Sequence, residues 1–358
     1  MAKGLNTMKI SLYDSKTYIS DLQEAARNTI GLEKLRNTRI LITGATGTIG
    51  SFLVDMLLQY NKTEQANITV YAAGRSLERL KERFGSIETS ALIYVRHDVL
   101  KPLDFNFLTD YIIHAGGNAH PAAFNRDPVG TIVGNINGTY ALLEYGRLHG
   151  VKRFLYVSSG EIYGQGDPGL DFFDEGYSGY VEPTIPRSCY PASKRAAETL
   201  CASYSKQYGL ETVIVRPCHT YGPGMTDTDS RANAQFIRNV LNGEDIVLKS
   251  SGSQMRSYCY IVDCATAVLT VLLLGNSGEA YNSANPDSRI TIAGLAQIIA
   301  ENAGRKVVFA NPDTEDVANR TPIVKQVLSS EKIEKLGWKG KYTVERGIAH
   351  TLAILHGE

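Results

Sequence analysis

The sequence carries no excess of charge. Lys+Arg and Asp+Glu each number 37 in 358 residues. A balanced chain gives no electrostatic reason to expect nucleic acid or an anionic membrane as a partner. No apolar run approaches the length of a membrane span. Met1-Ala2-Lys3-Gly4-Leu5-Asn6 lacks the apolar core of a signal peptide. The five cysteines, Cys189, Cys201, Cys218, Cys259 and Cys264, are odd in number and hold no C-x-x-C pair. That argues for free thiols in a reducing cytoplasm, against disulfides or a metal site. Internal repeats and low-complexity tracts are absent too. These bulk properties fit a soluble enzyme, expected in the cytoplasm, and the chain is long enough for one large domain or two intertwined ones.

What is present starts at Arg39. Arg39-Ile40-Leu41-Ile42-Thr43 is a β-branched, apolar run that predicts a buried strand. Gly44-Ala45-Thr46-Gly47-Thr48-Ile49-Gly50 follows, and from Ser51 the period becomes helical. A strand, a Gly-rich turn and a helix N-terminus form a diphosphate cradle. The helix start offers unpaired N–H groups and a positive dipole end, and the glycines admit close backbone approach. The spacing is G-x-x-G-x-x-G rather than the commoner G-x-G-x-x-G.

Strand-like and helix-like segments then alternate. Strands are expected at 39–43, 67–73, 91–96, 110–114, 152–158 and 211–216, with helices at 49–60, 76–84, 130–149 and 190–208. This predicts an α/β fold: a Rossmann, doubly wound parallel sheet with a smaller C-terminal α/β substrate domain. The expected division is a helical extension over 1–37, a cofactor domain over 38–217 and a substrate domain over 218–358, with an interleaved boundary. Shorter helices are expected in that last part at 230–242, 261–274, 291–303 and 329–336. Residues 164–188, rich in Gly and Pro, read as one long loop of the kind that is often functional.

The chemistry lies in Tyr190-Pro191-Ala192-Ser193-Lys194. Tyr190 and Lys194, at i and i+4, share one helix face. An ammonium beside a phenol favours the phenolate, which can take a proton from a sugar hydroxyl. Upstream, Phe154-Leu155-Tyr156-Val157 reads as a strand ending in Ser158-Ser159-Gly160-Glu161. A hydroxyl at a strand's C-terminal end faces the crevice where such sheets bind ligands, so Ser159 is the expected partner of Tyr190. Asn135 is expected to support the site through its own helix.

Taken in order, the Gly44/Gly47/Gly50 turn, His114-Ala115-Gly116-Gly117, Asn135-x-x-Gly138-Thr139, Ser158-Ser159-Gly160-Glu161-x-Tyr163-Gly164, Tyr190-x-x-x-Lys194, Arg216-Pro217 and Tyr221-Gly222-Pro223 resemble the extended short-chain dehydrogenase/reductase family of nucleotide-sugar epimerases, dehydratases and decarboxylases. The resemblance spans about residues 38–350. It implies a bound nicotinamide cofactor, a nucleotide-diphosphate sugar as substrate, oxidation of that sugar at C4, and a homodimer packed through the 130–149 and 190–208 helices. Carried onto this chain, it makes Tyr190 the base, Lys194 its partner, Ser159 the hydroxyl and Glu161 a further acid/base. Cofactor contacts fall at Gly44, Thr46, Gly47, Thr48, Ile49, Gly50, Asp98, Val99, Ala115, Gly116, Gly117, Asn135, Lys194 and Pro217.

Arg187-Ser188-Cys189-Tyr190, Lys194-Arg195-Ala196-Ala197-Glu198 and Gly252-Ser253-Gln254-x-Arg256 look most like UDP-glucuronate decarboxylases. The departures sit on the substrate side. Gly160 stands where decarboxylases have a hydroxyl residue and 4,6-dehydratases an Asp. Phe124 and Arg126 stand where decarboxylases have hydroxyl-bearing aromatics, and His219 stands where many members have Asn. Asn118, His219, Arg256 and Arg320 are the expected substrate contacts, the two arginines because guanidinium forks match phosphate oxygens. At the cofactor's ribose, Gly74-Arg75-Ser76 replaces the carboxylate of an NAD-selective site. Room at Gly74, a guanidinium at Arg75 and a donor at Ser76 favour NADP over NAD.

Overall fold

The structure is a computed structural model and describes residues 11–311 and 323–358. The first six strands are β1 (Arg39–Thr43), β2 (Thr69–Gly74), β3 (Leu92–Arg96), β4 (Tyr111–His114), β5 (Arg153–Val157) and β6 (Thr212–Pro217). The later ones are β7 (His219–Tyr221), β8 (Ile246–Leu248), β9 (Met255–Tyr260), β10 (Ala280–Ser283), β11 (Arg289–Thr291), β12 (Val307–Phe309) and β13 (Lys325–Gln326). Seven of them form one sheet in the order β10-β6-β5-β4-β1-β2-β3. Every pairing in it is parallel. The order reverses between β1 and β4, and ligands bind beside the carboxyl ends of strands at such a point.

The strands read as continuous apolar runs because both faces are covered. The helices are α1 (Lys16–Asn28), α2 (Thr48–Glu64), α3 (Leu77–Phe84), α4 (Pro121–Arg126), α5 (Pro128–Leu148), α6 (Cys189–Tyr208), α7 (Ala232–Leu241), α8 (Ile261–Leu274) and α9 (Ile292–Asn302). Alternation along β1 sets the layers. Ile40 and Ile42 pack with Leu53 and Leu57 of α2 and Val268 of α8. Leu41 faces the other way, into Leu142 and Leu143 of α5 and Ala197 and Cys201 of α6.

One expected helix is shorter than its pattern. The 329–336 helix is a single turn, Glu331–Glu334. The chain also returns to the large sheet after residue 218, because β10 pairs with β6 and α8 covers the sheet's face. A four-residue strand arriving from so far along the chain has no local period to announce it. The remaining strands build smaller sheets: β7, β11 and β13 around β9, and β8 with β12.

The segment before β1 is part of the core. Tyr18, Leu22 and Ala25 of α1 are buried. Two buried carboxylates tie it down. Asp55 of α2 accepts from Tyr13 Oη at 2.6 Å, Tyr18 Oη at 2.5 Å and Arg83 Nη2 at 2.5 Å. Asp21 of α1 accepts from Tyr260 Oη at 2.5 Å and Tyr342 Oη at 3.1 Å, and lies 2.9 Å from His350 Nδ1. Removing one partner of a buried ion pair strands the other charge. Asp55→Ala is therefore expected to cost about 3–5 kcal/mol, read from a denaturation midpoint; a loss below about 1 kcal/mol, the scale of an exposed pair, would contradict the account.

Candidate active site

One cavity of about 630 Å³ runs along the carboxyl ends of the strands, from Arg75 and Arg79 at one end to Tyr258 and Ile323 at the other. Its floor is the glycine turn after β1. Gly44 has φ +68°, and a Cβ there would stand 2.5 Å from Ala115 O. A Cβ on Gly50 would stand 2.3 Å from Gly44 O, and one on Gly47 3.3 Å from the same oxygen. Side chains are thus excluded where backbone must come close. No side chain caps the start of α2 at Gly47, so its first N–H groups remain free for an anion.

The neighbouring turn after β4 is locked to this one. Gly116 N–H donates to Thr43 Oγ1 at 3.1 Å. The Thr43 hydroxyl in turn shares a hydrogen bond with His114 Nδ1, 2.7 Å away. Burial, then the Lys194 charge, hold His114 well below its usual range, so it is neutral. Gly117 has φ +150°, and a Cβ on it would stand 2.7 Å from Asn135 Oδ1. Asn135 also donates from Nδ2 to Ser193 Oγ at 2.9 Å, joining α5 to the helix of Tyr190.

At the far end, Gly74, Arg75, Arg79, His97, Asp98 and Val99 line the cavity. Gly134 and Gly138 of α5 make room for Val99, since a Cβ on either would lie within 3.0 Å of its side chain. Ser76 is elsewhere. It caps α3 by accepting from Arg79 N–H at 3.2 Å and donates to Glu78 at 2.7 Å. Arg79, one helical turn beyond Arg75, was missed because a lone arginine on a helix carries no motif.

Tyr190 and Lys194 sit in the first turns of α6, each 5% exposed. Lys194 Nζ donates to Val157 O at 2.8 Å and lies 4.6 Å from the Tyr156 ring centre. Burial brings Lys194 down to about 8. Burial, then the Glu161 carboxylate, push Tyr190 up to about 12, while Ser159, Arg231 and Arg187 pull it the other way. The Tyr190 ring stacks on Phe124, with centres 5.1 Å apart and planes 17° apart. Arg187 lies over the Phe124 ring at 4.6 Å and donates to Glu161 Oε2 at 2.8 Å. Ser159 Oγ accepts the Glu161 N–H at 3.1 Å.

Beyond Tyr190 the cavity is lined by Asn118, His219, Asp229, Arg231, Arg256, Tyr258 and Gln326. Asn118 donates to Thr131 Oγ1 at 3.1 Å. Burial, then Arg256 and Arg231, lower His219 to about 3, which keeps it a neutral imidazole. Arg256 is less free than its motif suggests: it donates to Met255 O, Val324 O and Ile323 O at 2.9, 3.1 and 2.5 Å. Arg231 grips Asp229 in a fork, Nε to Oδ1 at 3.0 Å and Nη2 to Oδ2 at 2.5 Å. Asp229-x-Arg231 was the available sequence signal for that pair. Arg320 lies outside the described residues. Among the described residues no His/Cys/Asp/Glu group is arranged to hold a metal, and no helix is long and apolar enough to cross a membrane.

The family described as NAD dependent epimerase/dehydratase matches residues 40–284. UDP-glucuronic acid decarboxylase 3 of Arabidopsis thaliana is 36% identical over 314 residues, covering 87% of each chain. UDP-glucuronic acid decarboxylase 1 of Xenopus tropicalis is 33% identical over 322 residues, 89% of this chain and 72% of that one. Among solved structures, the dTDP-glucose 4,6-dehydratase DesIV of Streptomyces venezuelae, with NAD bound, superposes with a TM-score of 0.75 at 25% identity, over 89% of this chain and 97% of its own. The UDP-glucose 4-epimerase of Thermus thermophilus, in complex with NAD, gives 0.71 at 26% identity, over 89% and 99%.

Proposed function

The chain belongs to the NAD dependent epimerase/dehydratase family, and from that premise we propose a nucleotide-sugar enzyme of the epimerase/decarboxylase type. It works through a 4-keto sugar, with Tyr190 as base. The observation that carries this reading is the meeting of Tyr190, Lys194 and Ser159 with the glycine cradle in one cavity. We assign residues 38–217 chiefly to the cofactor and residues 218–358 chiefly to the sugar.

The cradle fits a dinucleotide, because its glycines clear the space that a Cβ would fill and the bare start of α2 faces it. Gly44 to Gly50 would hold the diphosphate, and Asp98 and Val99 the adenine. When bound, the nicotinamide supplies a hydride acceptor and later returns the hydride. Tyr190 takes the proton of the sugar hydroxyl, and Ser159 orients that hydroxyl. The Lys194 ammonium stabilises the phenolate. Glu161, held by Arg187, stands ready for a second proton transfer. A β-keto acid loses CO₂ readily, so for a hexuronate the residues need only hold the carboxylate and protonate the enolate. UDP-glucuronate is the first sugar to try, since the relatives are named for it. Dehydration is disfavoured by Gly160, which offers no acid to the leaving hydroxyl.

The test is incubation with UDP-, dTDP-, GDP- and CDP-sugars, read by mass spectrometry. Loss of CO₂ or an unchanged mass with a new isomer supports the proposal. Loss of water, or no conversion of any sugar, opposes it.

We infer a preference for NADP, because Arg75 and Arg79 line that end of the cavity and Gly74, at the end of β2, stands where an NAD-selective site has its carboxylate. A reductase that consumes NADPH is the second reading that this pair favours. Arg75→Ala is expected to weaken NADP binding about 10- to 100-fold, the range of a charge-assisted hydrogen bond, and to leave NAD binding nearly unchanged. Equal weakening of both, by fluorescence titration, would oppose the inference.

A homodimer is proposed as well. Val129, Val133, Tyr140 and Leu148 of α5 are exposed at 70, 38, 52 and 64%, in a stripe that a second copy would cover. Light scattering should give twice the chain mass, and Tyr140→Asp should lower it.

A further inference from the structure

Gly160 is buried in the wall of the cavity between Ser159 and Glu161. A Cβ built on it would lie 3.1 Å from Leu328 Cδ1, 3.5 Å from Pro217 O and 3.7 Å from Gln326 Nε2. The space that a side chain at 160 would need is therefore filled from the other side, by residues of β13 and the segment after it.

Gln326 is the polar member of that group. It is the last residue of β13, and its parallel register opposite Arg256 fixes its place at the cavity. It is 5% exposed and lines the cavity, yet its Nε2 is buried with no hydrogen-bond partner among the described residues. An unsatisfied buried amide is costly. Such a group persists where a ligand satisfies it. Gly160, which it approaches, stands in the chain between Ser159 and Glu161, and all four residues line the same cavity, so the position adjoins the reacting end of the sugar.

We propose that Gln326 contacts the substrate and sets its specificity, donating from its amide to the group on the sugar carbon beside the reacting centre. It replaces, from another strand, the side chain that Gly160 lacks. This rests on the nucleotide-sugar reading above and deepens it. An amide carries no transferable acidic proton, so it holds an oxygen without protonating a leaving hydroxyl. A carboxylate oxygen is the acceptor it suits best, because a hydrogen bond to a charged acceptor is stronger than one to a neutral hydroxyl.

Binding to the full-length protein, loaded with its nicotinamide cofactor, tests the proposal by calorimetry with two probes. UDP-glucuronate carries the carboxylate, and UDP-xylose lacks it. Gln326→Leu should weaken UDP-glucuronate about tenfold or more and leave UDP-xylose within about twofold. Gln326→Glu, similar in size but anionic, should weaken UDP-glucuronate further and again spare UDP-xylose. Retained cofactor affinity and melting temperature separate this from unfolding. Equal weakening of both sugars, or of neither, overturns the role of Gln326 alone. Failure of the unsubstituted protein to bind either sugar overturns this proposal, whereas the nucleotide-sugar reading stands or falls separately on the sugar panel.

Discussion

Tyr190→Phe is expected to lower kcat about a thousandfold, within the range that general acid–base catalysis contributes, while KM changes little. The asymmetry follows from the packing. The ring of Tyr190 is held by a stack on Phe124 at 5.1 Å, and a phenyl ring keeps that stack. Only the hydroxyl is lost, and with it the group that takes the sugar's proton. The surroundings suit that role. Lys194 is buried beside the tyrosine, and its Nζ makes a hydrogen bond to Val157 O. Among the described residues no carboxylate forms an ion pair with Lys194, although the Glu198 carboxylate acts on it from a distance. Burial raises the cost of ionising Tyr190, and Glu161 raises it further. Ser159, Arg231 and Arg187 lower it again. Turnover measured across substrate concentrations checks the split; a kcat within about threefold of the parent, or a loss confined to KM, would mean that Tyr190 is not the base.

Gly50→Ala is expected to abolish nicotinamide binding, raising the dissociation constant about a hundredfold or more, since both the turn and the helix start must move. The added Cβ would fall 2.3 Å from the carbonyl oxygen of Gly44, a backbone atom that cannot step aside as a flexible side chain can. Gly47→Ala is the graded comparison. Its Cβ would meet the same oxygen at 3.3 Å, a contact that a shift of a few tenths of an ångström relieves. The two variants differ by one methyl at neighbouring places on one turn. Fluorescence titration with the cofactor should rank them with Gly50→Ala far worse. Similar affinities would show that close backbone approach is not what the glycines provide.

The parts of this molecule that sequence could reveal are those set by local pattern. The strand, glycine turn and helix at 39–64 follow from apolar period and glycine spacing, and the structure has them at β1 and α2. Tyr190 and Lys194 were legible because one helical turn puts them on one face. What sequence did not reveal depends on contacts between distant segments. β10 joins β6 by parallel pairing across more than a whole helix. Ser76 follows a strand, as a ribose contact would, but it also starts a helix, and the capping bond to Arg79 N–H takes its oxygen. Arg256 carries a phosphate-like motif, while the fold turns its guanidinium onto the carbonyls of residues 323 and 324. Gln326 and the Phe124 stack have no motif at all. They matter only because β13 and α4 bring them to Gly160 and Tyr190.

The central claim is that the sugar is oxidised at C4 and receives the same hydride back. The most direct test starts from the nucleotide sugar that the panel identifies, deuterated at C4 and turned over in ordinary water. The account predicts that deuterium remains in the product while the nicotinamide absorbance shows no net change. Loss of the label to solvent, or consumption of reduced cofactor in step with product, would contradict it.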